Sequence, residues 1–152
     1  MPLVDVPTLT DGVVTLRAHR DDDVDAIVEQ SRDPLSIRWT KVPTPYVRDD
    51  AKRFVRDVMP GGWAADHEWG FAVEAPDDEG VGRYAGTVSL RSEGEGRAEI
   101  AFGSHPWARG RGVMERALRL LLDWGFSPDD DGGRGLDTVI WWAESGNWAS
   151  RR

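Results

Sequence analysis

The chain has 152 residues and a mass of 16.9 kDa, the length of one domain and enough to bury a sizeable core. It contains 39% hydrophobic and 30% charged residues, no cysteine and no apolar run near the ~20 residues that a bilayer demands. This excludes disulfide frameworks, thiolate metal sites, a cysteine nucleophile and a membrane span. Nineteen basic against 27 acidic residues leave a net charge of −8, which repels a polyphosphate backbone and disfavours nucleic acid as a partner.

The opening Met1–Thr10 lacks the basic-then-apolar form of a signal peptide, so cytoplasm is the expected compartment. Val13–Arg17 has strand composition, apolar at 14 and 16. Asp21-Asp22-Asp23 then precede Val24, Ile27 and Val28 at helical spacing, acidic residues being favoured at a helix N-terminus. Pro34 marks the end of that helix. Pro43 and Pro45, around Trp39 and Tyr46, predict a loop or short helices. A second helix is expected over 51–58, stopped by Pro60-Gly61-Gly62.

The period then changes. Glu68–Glu74, Arg83–Arg91 and Arg97–Ser104 read as three strands joined by short turns rich in glycine and acid, which imply an antiparallel meander. A long amphipathic helix follows over about 112–124, with Val113, Ala117, Leu120, Leu121 and Trp124 as its apolar stripe. After a polar, exposed loop at 127–135, Val139-Ile140-Trp141-Trp142 predicts a buried strand within 136–143. The order is that of a single α+β domain over residues 1–152, with a mixed, mostly antiparallel sheet flanked by helices.

The segment richest in chemistry is Arg109-Gly110-Arg111-Gly112-Val113-Met114, between a strand and the long helix. Glycines there let backbone approach a ligand closely, and the free amides of a helix N-terminus attract anions. Arginine adds charge suited to phosphate. A P-loop is excluded because no Lys-Ser or Lys-Thr pair follows the glycines. A dinucleotide fingerprint fits poorly, with Glu115 where a small residue belongs.

Together with Ala98-Glu99-Ile100-Ala101-Phe102-Gly103, His105-Pro106, Trp124-Gly125-Phe126, the opening Val14-Thr15-Leu16-Arg17-Ala18 and the closing Asn147-x-x-Ser150, this loop resembles the GNAT superfamily of N-acetyltransferases, RimJ/RimL-like branch. The resemblance implies acetyl transfer from acetyl-CoA to a primary amine, either a protein N-terminus or a small amine. By the same resemblance, the amides of Gly110, Arg111, Gly112, Val113 and Met114 cradle the coenzyme A pyrophosphate, flanked by Arg109 and Arg111. Amides near Phe102 and Gly103 then bind the pantetheine arm and polarise the thioester, and Asn147 bonds the same arm. Glu99 is the expected general base and Ser150 the proton donor, with His67 and Glu68 in reserve. Trp39, Tyr46, Trp63 and Glu68 are expected to form the acceptor pocket.

No metal is expected, since His19, His67 and His105 show no ligand spacing. Neither a nucleic acid nor a membrane is an expected partner, and a homodimer stays open. Met114 stands where the family keeps Gly or Ala, and relatives continue past Asn-x-x-Ser into a helix and two more strands. The chain is therefore read as short at its C-terminus. The alternative reading is a degenerate acyl-CoA-binding module, or a fragment that a partner completes.

Overall fold

The computed structural model describes residues 5–33, 46–128 and 132–141. Its sheet runs in sequence order: β1 (Leu9–Thr10), β2 (Thr15–Arg17), β3 (Glu68–Pro76), β4 (Gly82–Gly94), β5 (Arg97–Ser104) and β6 (Thr138–Trp141). The first five strands pair antiparallel, and β6 joins β5 in parallel. This is the expected α+β architecture with its antiparallel meander. The parallel step needs a crossover, and α4 (Val113–Phe126) supplies it.

Helix α4 covers one face of the sheet. Val113, Ala117, Leu121 and Trp124 bury against Leu16, Phe71, Val73, Val88, Leu90, Ala98 and Ile100, the alternate positions of a pleated face. Gly125 permits close approach, because a Cβ there would sit 2.8 Å from Leu90 Cδ1. At the far end of α4, Trp63 and Trp124 meet Phe71 edge to face, Trp69 meets Trp124 the same way, and Trp63 lies tilted against Trp124. The Arg134 guanidinium lies 5.0–5.7 Å from all three indole rings, a cation–π arrangement. The loop expected to stay exposed thus folds back: Trp124 Nε1 donates to the Gly132 carbonyl at 3.0 Å.

The opposite face carries α1 (Val24–Arg32), led by a 3-10 turn (Asp21–Asp23), and a helical stretch made of α2 (Arg48–Arg53), a π-helical turn (Phe54–Val58) and α3 (Met59–Ala64). Val24, Ile27, Tyr46, Ala51 and Val55 pack there on Ala72 and Tyr84. Pro60-Gly61-Gly62 does not stop the helix. The widened turn, in which the Met59 amide donates to the Phe54 carbonyl, makes room for a proline ring that an α-helical turn would exclude. A Cβ on Gly62 would lie 2.7 Å from the Glu68 carbonyl oxygen, so this glycine serves close packing on β3.

Two connections decide what the second face presents. Arg17 grips Asp23 with both terminal nitrogens, at 2.8 and 2.9 Å, while its Nε bonds Glu74 at 2.7 Å. This ties β2, the start of α1 and β3 together. A bulge in β4 shifts the register from Val73↔Gly86 to Glu74↔Tyr84. Ala85 is the extra residue, so Tyr84 and Thr87, three apart, share one face instead of opposing ones. Gly86 is required there, because any Cβ would run into the Gly103 carbonyl oxygen.

The expectation of a buried β6 needs correcting. Thr138 is exposed, Val139 and Ile140 are half-buried, and Trp141 is 40% exposed. Among the described residues β6 has a neighbour on β5 alone, so only one of its edges is covered. No described helix is long and apolar enough to cross a membrane.

Candidate active site

A cavity of about 200 Å³ opens on the face away from α4. Its floor is made by the alternate residues Thr87, Ser89 and Arg91 of β4, with the consecutive Ala101, Phe102 and Gly103 of β5. Gln30 and Ser31 at the end of α1, with Phe54 and Met59, form its walls, and Glu68 closes one end. The Glu68 carboxylate accepts from Ser89 Oγ at 3.2 Å and from Arg91 at 3.4 Å. Thr87 lies opposite Gly103, Ser89 opposite Ala101 and Arg91 opposite Glu99. Glu99 therefore shares this face, one strand beyond Arg91, without lining the cavity.

Two groups around this cavity lack partners among the described residues: Gln30 Oε1, and Nδ1 of His19 behind Thr87. His19 Nε2 lies 3.0 Å from Thr87 Oγ1, and Tyr84 Oη lies 2.8 Å from the same oxygen. Burial holds the His19 imidazole at a pKa of about 4, the charges of Asp23 and Arg17 acting in opposite senses. The Tyr84 phenol is raised by burial, against the bond to Thr87.

The glycine loop follows β5 and the short 3-10 turn Pro106–Ala108. Gly110 and Gly112 hold φ of 76° and 73°, the left-handed region where a side chain is strained. A Cβ on either would meet nothing within 4 Å, so the protein's own packing does not demand these glycines. Gly112 is the N-cap of α4 and brings no side-chain cap, which leaves the first amides of the helix facing outward. Val113 is buried and Met114 packs half-buried against the core. The long Met114 side chain is thus turned inward, away from the loop.

Both loop arginines are anchored. Arg109 pairs with Asp33 at 2.9 Å and donates to the Ser104 carbonyl at 3.3 Å, which fixes the loop to the β5 end of the cavity. Arg111 pairs with Asp78 at 2.6 Å and lies 5.5 Å from the centre of the Trp107 ring, and Arg83 lies 5.0 Å from the same centre. The Arg111–Asp78 bond lowers the Asp78 carboxyl, yet both side chains are exposed, so the pair adds little to stability.

Not every expected site residue meets the cavity. Trp63 sits in the core with its Nε1 bonded to the Gly70 carbonyl at 2.9 Å, because its indole fills the space under Trp124. Tyr46 is buried in the second core cluster, behind Ser31. Trp39, Asn147 and Ser150 lie outside the described residues. His105 caps the 3-10 turn Pro106–Ala108 through Nδ1. Thr87, Ser89, Arg91 and Gln30 escaped the sequence reading. The alternation Thr-Val-Ser-Leu-Arg over 87–91 carries the signal, polar residues at every second place of an otherwise apolar strand. No described group of three or more His, Asp and Glu could hold a metal.

A mixed sheet with a cavity on one face that carries a few polar groups on a largely apolar lining, and a glycine-capped crossover helix beginning beyond the cavity's β5 end, fits an acyl-transfer enzyme. A family model described as an acetyltransferase (GNAT) domain matches residues 14–152, and the chain belongs to that family. RimL, the ribosomal L7/L12 α-N-protein acetyltransferase solved with coenzyme A, aligns at a TM-score of 0.74 and 15% identity, covering 99% of this chain and 79% of its own. RimJ of Mycobacterium smegmatis, solved with CoA-disulfide, gives 0.73 at 18% identity, with coverage of 97% and 72%. The microcin C7 self-immunity acetyltransferase MccE, in complex with acetyl-CoA and AMP, gives 0.75 at 14% identity, with coverage of 93% and 75%. At these identities the likeness is one of fold. No curated protein matches the chain by sequence.

Proposed function

We propose that the chain transfers acetyl from acetyl-CoA to a primary amine held in the cavity between α1 and β4. The observation that carries this reading is the join between cavity and loop. Gly103 lines the cavity, and Arg109 binds the carbonyl of the next residue, Ser104, at 3.3 Å. The amides of residues 110–114 would hold the pyrophosphate with Arg109 and Arg111 beside it, and Phe102 and Gly103 would meet the pantetheine arm. Acetyl-CoA supplies the activated acyl group. Structural relatives solved with CoA-disulfide and with acetyl-CoA support this choice.

The amine must lose a proton to attack. Glu68 is the carboxylate inside the cavity, and it takes that proton directly or through water. Glu99, the residue that the resemblance favours, stands on the same face beside Arg91 and assists by its charge. With a panel of amines that includes peptide N-termini, Glu68→Gln is expected to lower kcat about 10²-fold or more, and Glu99→Gln by less. The reverse order would return the role to Glu99.

The first test is melting temperature with and without acetyl-CoA. A ligand at 100 times its Kd adds about 2.7 kcal/mol, which at this length raises Tm by about 2–4 °C per kcal/mol. An unchanged Tm at millimolar acetyl-CoA would falsify the proposal.

A further inference from the structure

Thr87 Oγ1 has two partners within the protein, Tyr84 Oη and His19 Nε2. A hydroxyl gives one proton and accepts up to two, so three arrangements exist. If Thr87 donates to His19, the neutral imidazole carries its proton on Nδ1, which is buried with no partner. If Thr87 donates to Tyr84, the phenolic proton of that buried side chain has no second acceptor among the described residues. If both neighbours donate to Thr87, every buried proton is used. Only the bare Nδ1 lone pair is then left over, the less costly group to strand.

The third arrangement frees the Thr87 proton, and Thr87 is half-buried on the cavity floor. It stands directly opposite Gly103, at the ~4.5–5.5 Å Cα spacing of paired strand residues. Resting on the acetyl-transfer reading, we infer that the Thr87 hydroxyl donates a hydrogen bond to the thioester carbonyl oxygen of bound acetyl-CoA, with Tyr84 and His19 as positioning residues that turn its proton into the cavity. As the amine nitrogen bonds to the carbonyl carbon, that oxygen gains negative charge, and a fixed donor beside it lowers the barrier. Glu68 has already taken one proton from the ammonium; as the carbon–sulfur bond breaks, the nitrogen's second proton passes through water to the leaving thiolate, and Thr87 keeps its own. The bulge at Ala85 is what permits this device, since without it Tyr84 would face the α4 side.

Two measurements test the assignment. Thr87→Val keeps the shape and removes the hydroxyl. It is expected to lower kcat about 10²-fold, with KM for acetyl-CoA little changed. The melting temperature is expected to fall by several degrees, because the Tyr84 and His19 protons lose their acceptor. Thr87→Ser is expected to restore most of the rate and the stability. In the wild type, ¹⁵N NMR of the His19 ring is expected to find Nε2 protonated and Nδ1 bare. A wild-type kcat in Thr87→Val, or a proton on Nδ1, overturns the assignment. If instead the wild type neither binds acetyl-CoA nor transfers acetyl, the underlying reading fails and the assignment with it. Should Thr87→Val not fold, a proton on Nδ1 in the wild-type ring spectrum still overturns the assignment, and Thr87→Ala, which removes the hydroxyl with less bulk, reads the loss of rate.

Discussion

Gly112→Val is expected to abolish the stabilisation that acetyl-CoA confers, while leaving a folded protein. The two effects separate because of what surrounds the residue. At φ 73° a non-glycine residue costs about 1–2 kcal/mol, so melting without ligand falls modestly. No protein atom lies within 4 Å of the site of the new Cβ, so there is no clash to add. The open space is where a phosphate would approach the amides of α4, and a branched side chain fills it. Losing a ligand bound at 100 times its Kd removes about 2.7 kcal/mol of apparent stability. Thermal shift on Gly112→Val, with Gly112→Ala as the milder step, reads both quantities. A full ligand shift in the valine variant would show that the loop is not the phosphate site.

Asp23→Ala is expected to destabilise the fold by about 3 kcal/mol, the lower end for breaking a buried pair, because Arg17 keeps Glu74 as a partner. The melting temperature should fall by roughly 6–12 °C. The Asp23 side chain is 3% exposed and that of Arg17 12%, so water replaces little of the lost bond. Burial alone would raise the Asp23 carboxyl. The paired Arg17 bonds, the Arg20 amide and the Arg17 charge outweigh it and hold the group below its ordinary value. A carboxyl depressed on folding contributes stability above its unfolded pKa, near 3.9, and that contribution drains away as pH falls through the folded value. Denaturant titrations below pH 5 should therefore show a steeper loss for the wild type than for Asp23→Ala. Equal slopes would mean that the carboxyl is no better held in the fold than in the unfolded chain.

Most of the element order was legible because those elements announce themselves in local chemistry. The two-residue β1 (Leu9–Thr10) carries no pattern of its own and was not expected. Glycine and aspartate punctuate β3, β4 and β5, and the apolar stripe of α4 needs no tertiary context. The glycine loop was legible for the same reason, since its need for positive φ is a property of the backbone itself. What escaped depends on partners far along the chain. The helix runs through Pro60 because a π-helical turn precedes it, which no propensity announces. Trp63 looks like a pocket aromatic until Phe71 and Trp124 are brought against it. Tyr84 and Thr87 belong to opposite faces in any strict alternation, and only the pairing of β3 with β4 exposes the bulge that unites them. Met114 departs from the family pattern at a position whose side chain turns inward, so the departure leaves the loop's surface unaltered.

The parallel join of β5 to β6 carries a consequence for how the molecule opens. The meander β3–β4–β5 closes over short turns, while β6 reaches β5 only after the whole of α4 and its following loop. Such long closure assembles late and opens early, so the amides of β6 are expected to exchange with solvent deuterium faster than those of β4. The glycine loop is the first turn of that same crossover. An anion held there clamps one end of the unit whose other end is β6, and bound acetyl-CoA should slow deuterium uptake along Thr138–Trp141. Local fluctuation at the sheet edge thereby becomes a distant gauge of occupancy at the loop.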